Sequence, residues 1–242
     1  MLSGQVTQGA VRRSRFRGCP YGHGVGRAAA YYGTWIPIRA WTGDAVATGT
    51  EVLEAGRGDH VVVFYRDEQE LVGQVSEHLL PAAQEGDVAI VVATPGHHRS
   101  FEQCLADMGA DVTAARQRGS YLTLDAGETI RGFMVADCPD PAGFWLAISP
   151  LLRQAATAGK PVRVFGEMVS LLWDAGLVSA AIEVEAMWNE LGGQYPFSLL
   201  CAYPAQQVSC AHHLDALTEV CRAHTRVIGG PTESEQARPH GP

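Results

Sequence analysis

The stretch VRVFGEMVSLLWDAGLVSAAIEVEAMWNELGGQYPFSLLCAYP, residues 162–204, decides the fold, because it holds two apolar runs separated by a helix-length segment. VRVFGE follows the turn pair Lys160-Pro161 and FSLLCAY follows Gly192-Gly193, so both runs have the flanks and length of buried strands. Continuous apolar strands joined by helical crossovers are typical of parallel sheets that are covered on both faces. The stretch therefore predicts a strand–helix–strand unit of an α/β domain.

The same alternation extends outward from this unit. Further strands are predicted at HVVVFY (60–65), DVAIVVAT (87–94) and YLTLDA (121–126), and helices over 68–84, 98–108, 141–158, 178–191 and near 211–224. We therefore predict a single three-layer α/β domain over residues 58–228 with a mainly parallel central sheet. Residues 1–57 are predicted to be a disordered tail or an extension from a mis-annotated start, and residues 229–242 a disordered tail.

Composition limits the classes of partner. The chain is 46% hydrophobic and 18% charged, which is enough for a well-filled core. Residues 1–57 carry a net charge of +4 and residues 58–242 a net charge of −12, so the folded part offers no basic surface to nucleic acid or anionic membrane. No apolar run reaches the roughly 18–20 residues that cross a bilayer. Six Cys without a CxxC pair, and no signal peptide, predict free thiols in a cytoplasmic protein.

The loop after the first predicted strand argues against nucleotide binding. It reads Tyr65-Arg66-Asp67-Glu68-Gln69-Glu70 and contains neither GxxxxGK[ST] nor GxGxxG. Asp67 is placed as a helix N-cap with Glu70 as its capping-box partner, so phosphate would meet carboxylates there. We expect ATP to bind weakly or not at all, and we expect no cofactor.

Polar residues in apolar surroundings are the candidate site. Glu185 and Asn189 share a helical stripe with apolar residues, and a carboxylate buried there needs a partner. Glu167 ends a strand, where open α/β sheets bind ligands, although an ion pair with Arg163 is the alternative. His60, at the entry of the first strand, can face a pocket or cap the sheet.

The aromatic residues and cysteine have two interpretations each. Tyr65, Trp173, Trp188 and Tyr203, with Phe64, can line an apolar pocket or form plain core. Cys201 is most simply a small buried hydrophobe. A metal site built from Cys201 with His60, Glu167 and Glu185 is the alternative, but no local ligand spacing supports it, so no metal is expected. The adjacent pairs His97-His98 and His212-His213 have side chains that point apart and fit turns and helix starts.

Several motifs in unbroken order resemble the MEDS domain, a bacterial and archaeal sensory domain named for methanogens, methylotrophs and a dichloromethane regulator. They are HVVVFY at 60–65, Ala93-Thr94-Pro95, FGEM at 165–168 with Trp173, Glu185 with WNEL at 188–191, and FSLLCAYP at 197–204. The resemblance implies a RecA/KaiC-like sheet that has lost its nucleotide loop. It also implies sensing of a small molecule, with hydrocarbon derivatives proposed for the family, and an association with histidine kinase or anti-sigma systems.

These observations favour a non-catalytic cytoplasmic sensor of a small, largely apolar molecule, signalling to a separate regulatory protein or through a homodimer. The predicted ligand-binding residues are His60, Tyr65, Glu167, Trp173, Glu185, Trp188, Asn189, Cys201 and Tyr203. One alternative is a ligand-free interaction module that regulates a histidine kinase or sigma-factor system. Another is an enzyme that uses His60, Glu167 and Glu185 as acid–base groups, but Ser170 and Ser198 lie outside any G-x-S-x-G motif.

Overall fold

Helices and strands alternate through residues 56–84, 86–208 and 213–229, which are the residues that the computed structural model describes. The strands are β1 His60–Tyr65, β2 Val88–Ala93, β3 Tyr121–Asp125, β4 Met134–Val135, β5 Cys138–Pro139, β6 Val162–Gly166, β7 Ser198–Pro204 and β8 Arg226–Ile228. The helices are α1 Glu68–Gln84, α2 Pro95–Asp107, α3 Val112–Gln117, α4 Ala126–Phe133, α5 Pro141–Thr157, α6 Met168–Asp174, α7 Val178–Gly192, α8 Ala205–Val208 and α9 Leu214–Ala223. The segments predicted as tails lie almost wholly outside the described residues.

Six parallel strands form the central sheet in the order β3-β2-β6-β7-β1-β8. One face packs against α1, α2 and α3, and the other against α4, α5, α6, α7 and α9. Each face buries a separate apolar cluster, which explains why the strands are apolar on both sides. The predicted three-layer α/β architecture is therefore confirmed.

The sheet register places one set of side chains on the α7 face. Cys201 of β7 lies opposite Val62 of β1 and Gly166 of β6. Because side chains alternate along a strand, His60 and Val62 share a face, and Cys201 and Tyr203 share that same face. The parallel β1–β7 pair thus brings residues far apart in sequence under one helix.

Helix α2 begins three residues earlier than predicted. Thr94 caps it by accepting a hydrogen bond from the His97 backbone N–H at 3.3 Å, and Pro95 occupies the first helical position. Proline is well suited there because it lacks only an N–H that would have no helical partner. The prediction began this helix at His98 and so misplaced its start.

Some elements were not predicted because they are too short for a periodic signal. Helix α6 follows β6 directly, β4 and β5 form a two-residue ladder, and β8 adds three residues beside β1. The close approach of β8 requires a glycine after it. A side chain at Gly229 would meet the Phe64 carbonyl oxygen at 2.5 Å, and Gly229 has a φ of +63°.

The expectation of free thiols holds for three of the described cysteines. Cys104, Cys201 and Cys221 are free, whereas Cys138 is disulfide-bonded, so the expectation was wrong for Cys138. A disulfide depends on how closely two Cα atoms approach, which spacing in sequence does not determine. Within the described part of the chain, no helix is long and apolar enough to cross a membrane.

Candidate functional site

Glu185 lies at the centre of a buried polar group on the α7 face of the sheet. We call the residues His60, Glu185, Cys201, Tyr203 and His224 the internal cluster. The Tyr203 hydroxyl donates to Glu185 Oε1 at 2.8 Å. Glu185 Oε2 lies 3.2 Å from His60 Nε2, 3.4 Å from Cys201 Sγ and 3.5 Å from His224 Nε2. Glu185 itself has 0% exposure, so its charge is compensated entirely within the protein.

Both imidazole rings are held by their Nδ1 atoms. Asn189 Nδ2 donates to the Ala223 carbonyl at 2.9 Å, which turns Asn189 Oδ1 towards His60 Nδ1 at 3.0 Å. His224 Nδ1 donates to the Val220 carbonyl at 2.6 Å. An acceptor at Nδ1 keeps the proton of a neutral imidazole there. The Nε2 atoms of His60 and His224 therefore both face Glu185 Oε2 inside the cluster.

Burial and mutual charge set the ionisation of this cluster. Burial raises the pKa of Glu185, but neighbouring His224, His60 and the Tyr203 hydrogen bond outweigh it and lower that pKa to about 2. Burial lowers the pKa of His224 to about 4, with His60 acting in the same direction. Burial and the Glu185 charge raise the pKa of Cys201 well above its usual value. Glu185 is thus a carboxylate, and Cys201 is a neutral thiol in this arrangement.

A second polar group lies at the carboxyl ends of β2 and β6. We call Glu68, Thr94, His97 and Glu167 the edge cluster. Glu167 accepts hydrogen bonds from the Thr94 backbone N–H at 2.6 Å and from His97 Nδ1 at 2.7 Å. His97 Nε2 lies 2.9 Å from Glu68 Oε1. The histidine therefore bridges two carboxylates from different elements.

The edge cluster is charged at neutral pH. The hydrogen bond to Glu167 raises the pKa of His97 to about 9, because it and the Glu68 contact outweigh the opposing effect of burial. Burial, with the charges of Asp174, Glu167 and Glu68, raises the pKa of nearby Tyr65 to about 12. His97 is accordingly an imidazolium between two carboxylates, and Tyr65 is a neutral phenol.

The residues that were predicted to line one pocket form two separate groups in the structure. His60, Glu185, Asn189, Cys201 and Tyr203 come together, whereas Tyr65 and Glu167 lie in or beside the edge cluster. The separation arises because Glu167 follows β6 at the carboxyl edge of the sheet, while Glu185 lies on α7, which covers one face of the sheet. The prediction that Glu167 and Glu185 share one ligand is therefore not supported by their positions.

The aromatic residues are mostly core. Trp173 packs edge-on against Tyr203 at 5.4 Å between ring centroids, and so reaches the internal cluster. Trp188 packs against Phe144 and Phe197 and is 1% exposed. Trp188 is therefore plain core, which was one of its two interpretations. Trp173 is a core residue that also contacts the internal cluster.

The alternative partner for Glu167 was wrong. Arg163 pairs with Asp87 at 3.2 Å, and Glu167 pairs with His97 instead. His97 and His98 do point apart, since His98 Nε2 contacts the Leu124 carbonyl at 2.9 Å. They mark a helix start as predicted, but the role of His97 in a charged cluster was missed.

His224 was also missed. It follows Leu217 and Val220 at helical spacing, so it continues the buried stripe of α9. The same signal that singled out Glu185, a polar residue on an apolar stripe, marks His224 in the sequence.

Two shallow depressions occupy another part of the surface. They have volumes of about 520 and 560 Å³ and lie against α2 and α3, with Arg99 and Gln103 lining both. Neither includes a residue of the internal or edge cluster. All five residues of the internal cluster are buried, so an organic molecule could reach it only if the surrounding elements separated.

Comparisons with known proteins give a family model and a structural neighbour. The family model described as "MEDS: MEthanogen/methylotroph, DcmR Sensory domain" matches residues 59–225. A crystal structure of an uncharacterized protein from Pyrococcus horikoshii, in complex with an unknown peptide, aligns with a TM-score of 0.50 and 12% identity. The alignment covers 74% of this chain and 80% of the other, and shows a shared fold. No curated protein matches the sequence.

Proposed function

Because the chain belongs to the MEDS family of sensory domains, we propose that it is a non-catalytic cytoplasmic sensor that binds a small molecule and signals to a separate regulatory protein. The partner we favour is a histidine kinase or an anti-sigma system, and a homodimer is the alternative route for the signal. A sensory role is the family's role; the ligand and the partner are our proposal.

The observation that carries the ligand proposal is the His97 bridge in the edge cluster. His97 is half-buried, lies at the carboxyl ends of the strands, and is held between Glu167 and Glu68. Ligands of open α/β sheets bind at this edge. A charged group held by carboxylates on two elements also changes its partners when a polar ligand competes for one of them.

We assign the polar end of the ligand to Glu167 and His97, and its apolar remainder to the side of Tyr65. Glu185 was expected to share this role, but it has 0% exposure and lies in the internal cluster, which contains neither Glu167 nor Tyr65. A small hydrocarbon derivative with one polar group fits this combination of a charged pair and an aromatic face.

Two observations support the non-catalytic part of the proposal. Cys201 is fully buried and its raised pKa keeps it a thiol, so it is a poor nucleophile. The acid–base trio His60, Glu167 and Glu185 is divided between two clusters, so it does not converge on one substrate.

The experiment begins with the full-length chain purified under native conditions. Native mass spectrometry followed by denaturing analysis identifies any small molecule that co-purifies. Short-chain alcohols, carboxylic acids and chloroalkanes are then tested as probes by thermal shift on wild type, Glu167→Gln and Glu102→Gln. Glu102 is the matched control, because it pairs with Arg116 on the α2 and α3 side and away from the edge cluster.

We expect at least one probe to stabilise wild type and Glu102→Gln but not Glu167→Gln. Equal responses in all three proteins would remove the edge cluster from the proposal.

The second candidate is the interaction module without a small ligand. The burial of the internal cluster favours it, because tight packing leaves an organic molecule no entry among those residues. It predicts no retained molecule and no probe response, together with a regulatory protein that co-purifies at a fixed ratio.

A further inference from the structure

The internal cluster has the composition of a metal site. Four possible ligand atoms, one each from His60, Glu185, Cys201 and His224, all lie within 4.8 Å of one another, and all four residues are buried. Two imidazoles, a thiolate and a carboxylate form a borderline-soft donor set, which suits zinc and disfavours calcium or magnesium.

Four of the six distances among these ligand atoms match the edges of a tetrahedron, and the other two, from His224 Nε2 to His60 Nε2 and to Cys201 Sγ, are no longer than 4.8 Å. Zinc bonds of about 2.0–2.1 Å to nitrogen and about 2.3 Å to sulfur give tetrahedral edges of about 3.3–3.6 Å. Glu185 Oε2 lies 3.2 Å from His60 Nε2 and 3.5 Å from His224 Nε2. Cys201 Sγ lies 3.4 Å from both His60 Nε2 and Glu185 Oε2.

An unsatisfied atom points to the same conclusion. His224 Nε2 is fully buried, yet it has no hydrogen-bond partner among the described residues, since its 3.5 Å approach to Glu185 lacks hydrogen-bond geometry. Its Nδ1 proton is already committed to the Val220 carbonyl. A buried lone pair without a donor costs free energy unless something binds it.

Groups around the cluster orient its ligands as they do in metal sites. His60 and His224 donate their Nδ1 protons to an amide oxygen and a backbone carbonyl, and the free oxygen of Glu185 accepts from Tyr203. Metal-binding histidines almost always donate their other ring N–H in this way. These outer contacts hold three of the four ligands with their metal-binding atoms directed inward.

We propose that His60, Glu185, Cys201 and His224 bind one divalent ion of the zinc class in a closed four-ligand site. Binding requires the thiol proton of Cys201 to leave, so each ion bound releases one proton. The resulting thiolate and the Glu185 carboxylate together neutralise the two positive charges of the ion. The site joins β1, α7, β7 and the residue that follows α9, and its four protein ligands leave no open position, as in structural zinc sites. This proposal is independent of the ligand proposed for the edge cluster.

The test uses the full-length chain without a histidine tag, unfolded with chelator and refolded with or without Zn²⁺. Metal content by mass spectrometry of the digested sample should be about one zinc per chain in wild type. Cys201→Ser and His224→Gln should each lower zinc affinity about tenfold or more. Asn189→Ala, which removes an outer contact to His60, should lower affinity by about 10–100-fold.

Two variants are matched controls. Cys221→Ser changes a second free thiol, which lies on α9, and His97→Gln removes a histidine paired with carboxylates in the edge cluster. Both should retain one zinc per chain. Loss of zinc in these controls to the same degree as in Cys201→Ser would overturn the assignment of the ligands.

Refolding with Co²⁺ tests the site without a variant, in case the substituted chains fail to fold. Four-coordinate Co²⁺ bound to Cys201 should give intense visible bands and a thiolate charge-transfer absorption. Wild type that refolds with neither zinc uptake nor these bands would overturn the proposal, leaving the cluster as a hydrogen-bonded network alone.

Discussion

At the scale of single residues, whether a buried charge is tolerated depends on the groups that contact it. Glu185 is tolerated at 0% exposure because Tyr203, His60 and other cluster members surround both of its oxygens. Removing one partner of a buried charge is costly, because the remaining charge is left without compensation. The sequence identified Glu185 as a carboxylate that needs partners, and the structure supplies them.

Tyr203→Phe should reduce the free energy of unfolding by about 1–3 kcal/mol, because it removes the hydroxyl that donates to Glu185 Oε1. Tyr121→Phe is the control, since the buried Tyr121 hydroxyl has no hydrogen-bond partner among the described residues. Urea denaturation of both variants measures the difference. Equal losses would show that the Tyr203 hydroxyl does not stabilise the carboxylate.

His97 should make stability depend on pH. The pKa of His97 is raised from 6.5 to about 9 in the folded protein, so its contribution is fully present below pH 6.5 and is lost as the pH rises through 9. The difference in unfolding free energy between wild type and His97→Gln should therefore fall across this window. Urea titrations at a series of pH values measure it, and a difference that stays constant with pH would contradict the assigned ion pairs.

At the scale of elements, the N-terminus of α1 is occupied by the protein's own carboxylates. Asp67 Oδ1 accepts from the Glu70 N–H at 2.9 Å, which confirms Asp67 as the cap. Glu70 does not complete the predicted box with Asp67; it accepts from the Arg66 N–H at 2.9 Å instead. Glu68 in the first turn faces His97. The positive end of the helix dipole is therefore already compensated.

This occupied helix start predicts that ATP does not bind there with useful affinity. The glycine-rich loop that exposes backbone N–H groups to phosphate is missing, and two carboxylates would repel the anion. Isothermal titration of the full-length chain with ATP and Mg²⁺ should show no binding or a dissociation constant in the millimolar range. Micromolar affinity would contradict the loss of the nucleotide loop.

At the scale of the whole molecule, charge and burial are distributed unevenly. The described residues all fall within one compact unit whose sheet is covered on both faces. The acidic balance of residues 58–242, a net charge of −12, extends over the part that matches the sensory family. Such an acidic surface repels polyanions such as nucleic acid, but it does not prevent association with another protein.

The full-length chain should therefore not bind nucleic acid at physiological salt. Fluorescence anisotropy with a labelled DNA duplex measures this. Any binding contributed by the basic N-terminal residues at low salt should disappear between about 50 and 200 mM salt, because it would depend on counterion release. Binding that persists at the higher salt would contradict the prediction.

The sequence by itself determined the α/β class, the principal strands and their parallel arrangement. These properties follow from local periodicity, since a strand buried on both faces must be apolar throughout and an amphipathic helix must repeat its stripe. The elements that were missed, such as β8 and α6, are too short to carry a period. The apolar stripe of α7 likewise indicated from the sequence that Glu185 and Asn189 are buried, but it did not indicate which residues they contact.

Only the tertiary structure decided which residues share a site. His60 and Cys201 lie 141 positions apart and meet because β1 and β7 are neighbours in the sheet, in a register that turns both side chains to α7. From the sequence we expected no metal, because the candidate ligands lack the local spacing of a metal motif. We also assigned Glu167 and Glu185 to one site, because both are carboxylates in apolar surroundings. Strand order and register separate Glu167 from Glu185 and bring His224 to the internal cluster, since long-range pairing is fixed by packing of the whole domain and not by any local pattern.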